Sequence, residues 1–450
     1  MNDLSKLLQV KKDLDAVGCG FCLAKWTQVT MHLGSGITHS CHHVGAHKIP
    51  LAELATNPSA LHNTNFKKQI RKEMLAGKRP DECDYCWRIE DNTNNFSDRV
   101  TKSSEPWSAV DKDKIIVSTG DENIYPRYVE VSFSNVCNFK CAYCGPAFSS
   151  KWTEEIKANG PYKLKNNHYN AIKETEVPIL EREENPYIEA FWKWFPEAVK
   201  HMQVFRITGG EPLLSKHTTR VIQYLINNPQ PNLEFAINSN ACPPDVIWKQ
   251  FVKSIKKLEA SGSIKSFELS TSAESIKAQA EYSRDGMDWK VFNTNIKYFL
   301  ENTNNINICF MSAFNIFSLP TIYKYVRHIE KLKRDFGDRI HMDFAYVRHP
   351  EFLDIKIATE EMIELYLKTT IDFMVARRKK NKRFKPDEIL KLERIYNDCI
   401  ARFKKNTNVG ADRFRFVQFI NEYDRRRNKN FLEVFPEYKE FYKLCENSNV

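Results

Sequence analysis

The sequence lacks any stretch approaching the roughly 18 uninterrupted apolar residues that a membrane-crossing helix needs, which argues against a spanning segment. Low-complexity tracts are missing too, and glycine is scarce, with 15 in 450 residues; a disordered chain is not expected. The opening residues, Met-Asn-Asp-Leu-Ser-Lys, carry no charged-then-apolar leader, so a cytoplasmic location is expected. What the chain does contain is 42% hydrophobic and 12% aromatic residues, enough for a large core. Its length points to a central domain of ~200 or more residues flanked by smaller pieces.

The formal charge is +10. Much of the excess lies in two late runs, Arg377, Arg378, Lys379, Lys380, Lys382, Arg383 and Lys385, then Arg425, Arg426, Arg427 and Lys429. Such runs read first as solvated helix faces and second as contacts to nucleic acid or an acidic substrate.

Twelve cysteines in a reducing compartment stay free, so clustered spacing is read as metal ligation before disulfide bonding. Residues 1–100 carry Cys19, Cys22, Cys41, Cys83 and Cys86 and form a cysteine-rich module; residues 101–126, with Ser103, Ser104, Pro106, Gly120 and Pro126, read as a linker. Over 127–350 short β-branched and aromatic runs alternate with amphipathic stretches, the pattern of strand–helix units with a parallel sheet. Strands are expected near 128–133, 203–208, 233–239, 265–270, 307–313 and 341–347, and helices near 187–201, 215–227, 244–260, 288–301 and 320–336. In the first helix Ile188, Phe191, Trp192, Phe195 and Val199 mark one buried face. The segment 159–185 reads as a lid or a disordered insertion. Residues 351–450 read as a helical extension, with Thr359 as an N-cap, Glu360 and Glu361 in the first turn, and a later block of Phe414, Phe416, Val417, Phe419 and Ile420.

Directly after the first expected strand comes Ser134-Asn135-Val136-Cys137-Asn138-Phe139-Lys140-Cys141-Ala142-Tyr143-Cys144. Three thiolates spaced Cys-x3-Cys-x2-Cys suit a cubane iron–sulfur cluster, because soft sulfur favours iron–sulfide chemistry. Three ligands leave one iron open, the mark of a catalytic rather than a structural centre. A zinc knuckle would need a fourth ligand such as His201 or a distant cysteine.

The segment resembles the radical S-adenosylmethionine superfamily, which has this cysteine spacing after strand one and often an aromatic residue where Tyr143 stands. The resemblance extends to Gly209-Gly210-Glu211-Pro212 after strand two, matching the family's segment that meets the methionine amino group. Adjacent glycines admit close backbone approach, and a carboxylate accepts from an ammonium. Asn238, Ser239 and Asn240, and Ser270, Thr271 and Ser272, end strands three and four, where the family holds the ribose and methionine carboxylate. Arg284 is a candidate partner for that carboxylate, and Asn315 a weaker contact. Over 127–350 the resemblance implies an α/β fold, a partial six-unit (β/α) barrel of the radical SAM type. It also implies reductive cleavage of S-adenosylmethionine at a [4Fe–4S] cluster to a 5′-deoxyadenosyl radical that abstracts hydrogen from substrate, with an external electron donor such as flavodoxin or ferredoxin.

At the amino terminus Cys22, Cys41, Cys83 and Cys86 supply four ligands for a second, auxiliary [4Fe–4S] cluster, with Gly36 turning a hairpin between the first two. This is similar to the twitch arrangement, the shorter relative of the SPASM domain, although in familiar members that module follows the barrel. Such a cluster would carry electrons away in a net oxidation or position substrate. Zinc on Cys19, Cys22, Cys83 and Cys86 is the alternative. His42, His43 and His47 lie near Cys41, and Cys242, Cys309, Cys399 and Cys445 read as packed thiols.

The rival function classes are a nucleic-acid-modifying or nucleic-acid-binding protein, which the basic runs suggest, and an iron–sulfur electron carrier or zinc-stabilised scaffold. The substrate class stays open among peptide, sugar and small metabolite. Tyr346, Arg348 and His349, beyond the last strand, are candidates for acid, base or radical quencher by position alone.

Overall fold

Eleven strands order the part of the chain that the computed structural model describes, residues 4–164, 168–169, 177–180, 183–405 and 407–448. In chain order they begin with β1 Gln28–His32, β2 Ile37–His39, β3 His47–Lys48, β4 Tyr128–Ser132, β5 Lys140–Cys141 and β6 Val204–Thr208. Then come β7 Gln230–Ser239, β8 Ile264–Ser272, β9 Arg284–Asp285, β10 Asn307–Phe314 and β11 Ile340–Tyr346. The six strands expected over 127–350 are β4, β6, β7, β8, β10 and β11. Helices Pro186–Ala198, Lys216–Asn227, Asp245–Ser261, Trp289–Asn302 and Ile322–Phe336 lie between them, so the chain is α/β. Part of the 159–185 insertion lies outside the described residues.

The chain divides into two units. The first holds residues 1–135, 173–237 and 261–267. In it β4 pairs in parallel with both β1 and β6, and β6 pairs in parallel with β7. β2 runs antiparallel to β1, and β3 to β2. The cysteine-rich region therefore shares a sheet with the first strand of the α/β segment, rather than ending near residue 100 as expected. Gln28, Val29, Thr30 and Met31 are all buried, as a strand flanked on both edges requires. Gly36 turns the β1–β2 hairpin at φ +64°, and a Cβ there would stand 2.1 Å from the Tyr187 ring, so both conformation and space demand glycine.

The expected linker at 101–126 is instead packed structure. It carries helices Pro106–Ala109 and Lys112–Ile116, with Trp107 and Ile115 buried. Pro106 occupies a first-turn position, where its missing N–H costs nothing; what looks like a breaker in sequence is a helix start. Helix Pro186–Ala198 begins the same way, with the Asn185 side chain accepting from Tyr187 N (2.9 Å) and Ile188 N (3.2 Å). Its buried stripe runs through Tyr187, Phe191, Trp194, Phe195 and Ala198 and on to Val199, so Phe191, Phe195 and Val199 are buried as expected while Ile188 and Trp192 are only half-buried. Trp192 lies at the margin, where the Arg220 guanidinium stacks 3.8 Å from its ring.

The second unit holds residues 136–172, 238–260 and 268–450. From Glu268 onward β8 pairs in parallel with β10, and β10 with β11, while β5 and β9 form a short antiparallel ladder that sets Cys141 opposite Arg284. Beyond residue 350 the unit is helical. Thr359 caps its helix by accepting from Met362 N at 3.3 Å, and helices Thr369–Asn381, Pro386–Lys404 and Gly410–Arg427 follow. Lys333 and Glu388, both buried, pair at 2.6 Å. No helix among the described residues is long and apolar enough to cross a membrane.

Candidate metal centres

The loop that bears Cys137, Cys141 and Cys144 is tied down along its length by hydrogen bonds to its own backbone. Cys137 N donates to Ser150 Oγ (3.2 Å), Ser149 Oγ to Phe139 O (2.6 Å), Trp152 Nε1 to Cys141 O (2.9 Å) and Tyr169 Oη to Ala142 O (2.6 Å). Ala142 N donates to Ser283 O (2.7 Å) and Cys144 N to Cys141 O (3.0 Å). Ser149 doubles as the N-cap of helix Ser150–Asn159, so the helix after the triplet is itself part of the clamp. A side-chain ladder of Asn240 Nδ2 to Asn138 Oδ1 (2.7 Å) and Asn138 Nδ2 to Cys242 O (2.7 Å) fixes the other flank. Gly286 allows the close approach: a Cβ there would meet Asn138 O at 2.6 Å.

Beside the thiols lies a buried ion pair. Arg284 and Glu274 are 5% and 0% exposed and meet at 2.7 Å; Glu274 also accepts from Tyr143 Oη (3.2 Å) and Ser283 Oγ (3.3 Å). The Arg284 guanidinium stacks on the Tyr143 ring at 5.4 Å and points Nη1 at Cys141 Sγ, 3.8 Å away. Burial pushes the Cys141 thiol up while Arg284 works against it, and burial followed by the neighbouring Cys141 pushes Cys144 up to about 12. Arg284 was expected to seek a ligand carboxylate; its protein partner Glu274 was not anticipated.

A second buried network holds the helix behind the loop. Glu155 accepts from Lys140 Nζ (2.9 Å), Arg427 Nε (3.0 Å) and Tyr162 Oη (2.8 Å), and Asp285 takes Lys429 Nζ at 2.5 Å. Arg427 is 2% exposed, between the rings of Trp152 (4.6 Å) and Tyr423 (3.6 Å). Arg426 is likewise buried, against Glu422 and the Tyr162 ring. The last basic run is thus partly internal rather than a solvated face, because its residues find carboxylates and aromatic rings on elements remote in sequence. In the first run Arg378, Lys379, Lys380, Lys382 and Lys385 are exposed, while Arg377, which pairs with Glu330 at 3.0 Å, and Arg383 are half-buried.

In the first unit Gly209 adopts φ +132°, and a Cβ there would meet Ser132 Oγ at 2.7 Å. Gly210 N donates to Ser134 O (3.4 Å). Glu211 is 1% exposed and caps the short helix Pro212–Leu214 by accepting from Leu213 N at 3.1 Å. In the second unit Asn238 Nδ2 contacts Met311 Sδ (3.8 Å), Ser239 Oγ accepts from Ala241 N (3.0 Å) and Ser270 Oγ donates to Glu268 (3.0 Å). Ser272 closes β8 opposite Met311. Asn315 is a turn former, accepting from Phe317 N at 2.8 Å. Tyr346 is engaged with Asp354, and His349 with Glu351 at 3.0 Å.

Cys22, Cys41, Cys83 and Cys86 line one small cavity in the first unit, with Lys25, His43, Asp98 and Arg99 around it. Cys19 is exposed and donates to Gly77 O at 3.4 Å; it is not part of the lining. Burial raises the Cys22 and Cys83 thiols and pushes Cys86 up to about 12. Cations accompany these sulfurs as well: Lys25 pairs with Glu82, and Arg99, 1% exposed, pairs with Glu90 at 2.9 Å and Asp15 at 2.7 Å. Donors to a single tetrahedral zinc ion stand about 3.8 Å apart for sulfur at the usual bond length. Among the described residues the group of three or more donors drawn within 4.8 Å of one another is Glu268, Cys309 and His341. Four thiols around one small cavity offer a donor set that suits an iron–sulfur cluster or a single zinc ion.

No family model and no curated protein matches the chain. Among solved structures, the crystal structure of Streptococcus suis SuiB bound to precursor peptide SuiA is similar at a TM-score of 0.36 and 15% identity, over 79% of this chain and 70% of that one.

Proposed function

We propose that this chain is a radical S-adenosylmethionine enzyme whose catalytic cluster is held by Cys137, Cys141 and Cys144. The observation that carries the reading is the loop itself: three thiols at Cys-x3-Cys-x2-Cys spacing, clamped through the backbone of Cys137, Phe139, Cys141 and Ala142, with a buried guanidinium at Cys141 Sγ. The donor set suits iron and sulfide. When bound, a cluster with an open iron and S-adenosylmethionine supply one-electron cleavage of a carbon–sulfur bond and hydrogen abstraction from substrate.

The protein's own residues do the rest. Arg284 places a fixed positive charge beside the anionic sulfurs, and Glu274 and Tyr143 hold it there. By the motif resemblance alone, Gly209, Gly210, Glu211 and Pro212, together with Asn238, Ser239, Ser270 and Ser272, are the residues proposed to bind and orient the cofactor. Cys22, Cys41, Cys83 and Cys86 are proposed to hold a second cluster, as in a twitch module, which would serve as an electron outlet or a substrate anchor.

The test is anaerobic reconstitution with iron and sulfide, then reduction and assay of 5′-deoxyadenosine, in wild type and in Cys137→Ala/Cys141→Ala/Cys144→Ala. Expected are about eight irons per wild-type chain, about four in the variant, and nucleoside from the wild type alone. Full iron loading without cofactor cleavage would overturn the reading in favour of an electron carrier or scaffold.

A further inference from the structure

The strands of the second unit carry a donor group that the iron–sulfur reading does not use. Glu268 on β8, Cys309 on β10 and His341 on β11 sit on three neighbouring strands, with Cys309 in register with both Ser270 and His341. Residues two apart on a strand share a face, so the face that presents Glu268 and Cys309 also presents Ser270 and Met311. The opposite face carries Phe267, Leu269, Ile308 and Phe310, all buried. The three donor atoms lie within 4.8 Å of one another, and His341 Nε2 stands 3.1 Å from Glu268 Oε2. Ser270 Oγ donates to the other carboxylate oxygen, Glu268 Oε1, at 3.0 Å.

The geometry points to a site for one borderline-soft divalent cation of the zinc class, held by Glu268, Cys309 and His341. Tetrahedral bonds of about 2.0–2.3 Å place neighbouring donors roughly 3.3–3.6 Å apart, and the observed imidazole–carboxylate separation is already close to that. Thiolate, imidazole and carboxylate together suit Zn(II) rather than Mg(II) or Ca(II), which prefer oxygen alone. Rigid strands fix the three backbone positions, and Ser270 orients the carboxylate in the way that outer partners orient metal ligands. Cys309 is buried while His341 and Glu268 are 25% and 30% exposed, so two of the three donors can be reached from solvent, and three protein donors leave a fourth position for water or another small ligand. Metal uptake releases the thiol proton to solvent.

The experiment is equilibrium dialysis of the full chain, loaded anaerobically with iron and sulfide, against buffered Zn(II), with zinc per chain counted by mass spectrometry. Wild type is compared with Cys309→Ser, His341→Ala and Glu268→Gln. The readout is the difference between wild type and each variant, so it does not depend on whether the other cysteine groups carry iron. One zinc per wild-type chain that is lost or weakened by more than about 100-fold in Cys309→Ser and His341→Ala is the expected result. Co(II) in place of zinc should give a thiolate charge-transfer band that Cys309→Ser abolishes and Glu268→Gln retains at weaker affinity. Equal zinc number and affinity in wild type and variants, with unchanged circular-dichroism melting, overturns the proposal. Should Cys309→Ser not fold, the partly exposed Glu268→Gln decides: wild-type zinc affinity in it also overturns the site.

Discussion

Replacing Glu274 by glutamine removes one charge from a place where no water can compensate. Its carboxylate is 0% exposed and accepts from Arg284, Tyr143 and Ser283. Glutamine keeps one acceptor oxygen but turns an amide donor toward the guanidinium, leaving Arg284, 5% exposed, as a buried cation without its counter-charge. Breaking a buried ion pair from one side costs about 3–5 kcal/mol, and the surviving oxygen holds the effect near the lower end, about 3 kcal/mol. For a unit of this size that is a fall of roughly 6–12 °C in the melting temperature. The assay is anaerobic calorimetry of the metal-free chain, with fluorescence of the buried Trp152 as a local probe. The double variant Glu274→Leu/Arg284→Met leaves no charge unpaired, so it should melt above Glu274→Gln. A single variant that melts within a degree or so of wild type, or a double variant that melts below the single, refutes the reasoning that this buried pair stabilises the unit carrying the cysteine loop.

Three more perturbations address the surroundings. Arg427→Met should cost about 2–3 kcal/mol in urea denaturation, less than a fully broken pair because Glu155 keeps Lys140 and Tyr162 while the stacking on Trp152 and Tyr423 is lost. Lys333→Met leaves Glu388, 0% exposed, without its cation and should cost about 3–5 kcal/mol, read by the same method. Burial, helped by Lys297 and Lys331, lowers the His328 pKa to about 4, below its unfolded value of about 6.5. The stability tied to its neutral form is therefore full above pH 6.5 and declines as pH falls toward 4, by up to about 3 kcal/mol; His328→Phe should flatten the melting-temperature profile across that window.

The parts of this molecule that were legible in its sequence are those set by local periodicity and spacing. Strands β4, β6, β7, β8, β10 and β11 and the helices between them follow from alternation and amphipathic stripes, and Gly36 marks a real hairpin. The helices within 101–126 were not legible, because Pro106 is a helix start only if Trp107 has something to bury against, and that is a tertiary fact. β1 was hidden for a related reason: a strand buried on both faces has no alternation to read. The buried end of the basic run was missed because Arg427 and Glu155 are distant in sequence, and nothing in an Arg-Arg-Arg string separates the side chain that meets water from the one that meets a carboxylate.

The same limit explains what links the two cysteine groups. Each lies among thiols whose protonated form is favoured by burial, and each is accompanied by a buried cation held in an ion pair, Arg284 with Glu274 in one unit and Arg99 with Glu90 and Asp15 in the other. A packed apolar pocket would resist the thiolate form that any metal ligation needs. A guanidinium nearby offsets that resistance, and its carboxylate partner keeps the cation from being an unpaired charge before metal arrives. Cysteine spacing announces where sulfur is available; the paired arginines, which no spacing rule reveals, lower the electrostatic cost of a thiolate at these buried sulfurs without outweighing burial.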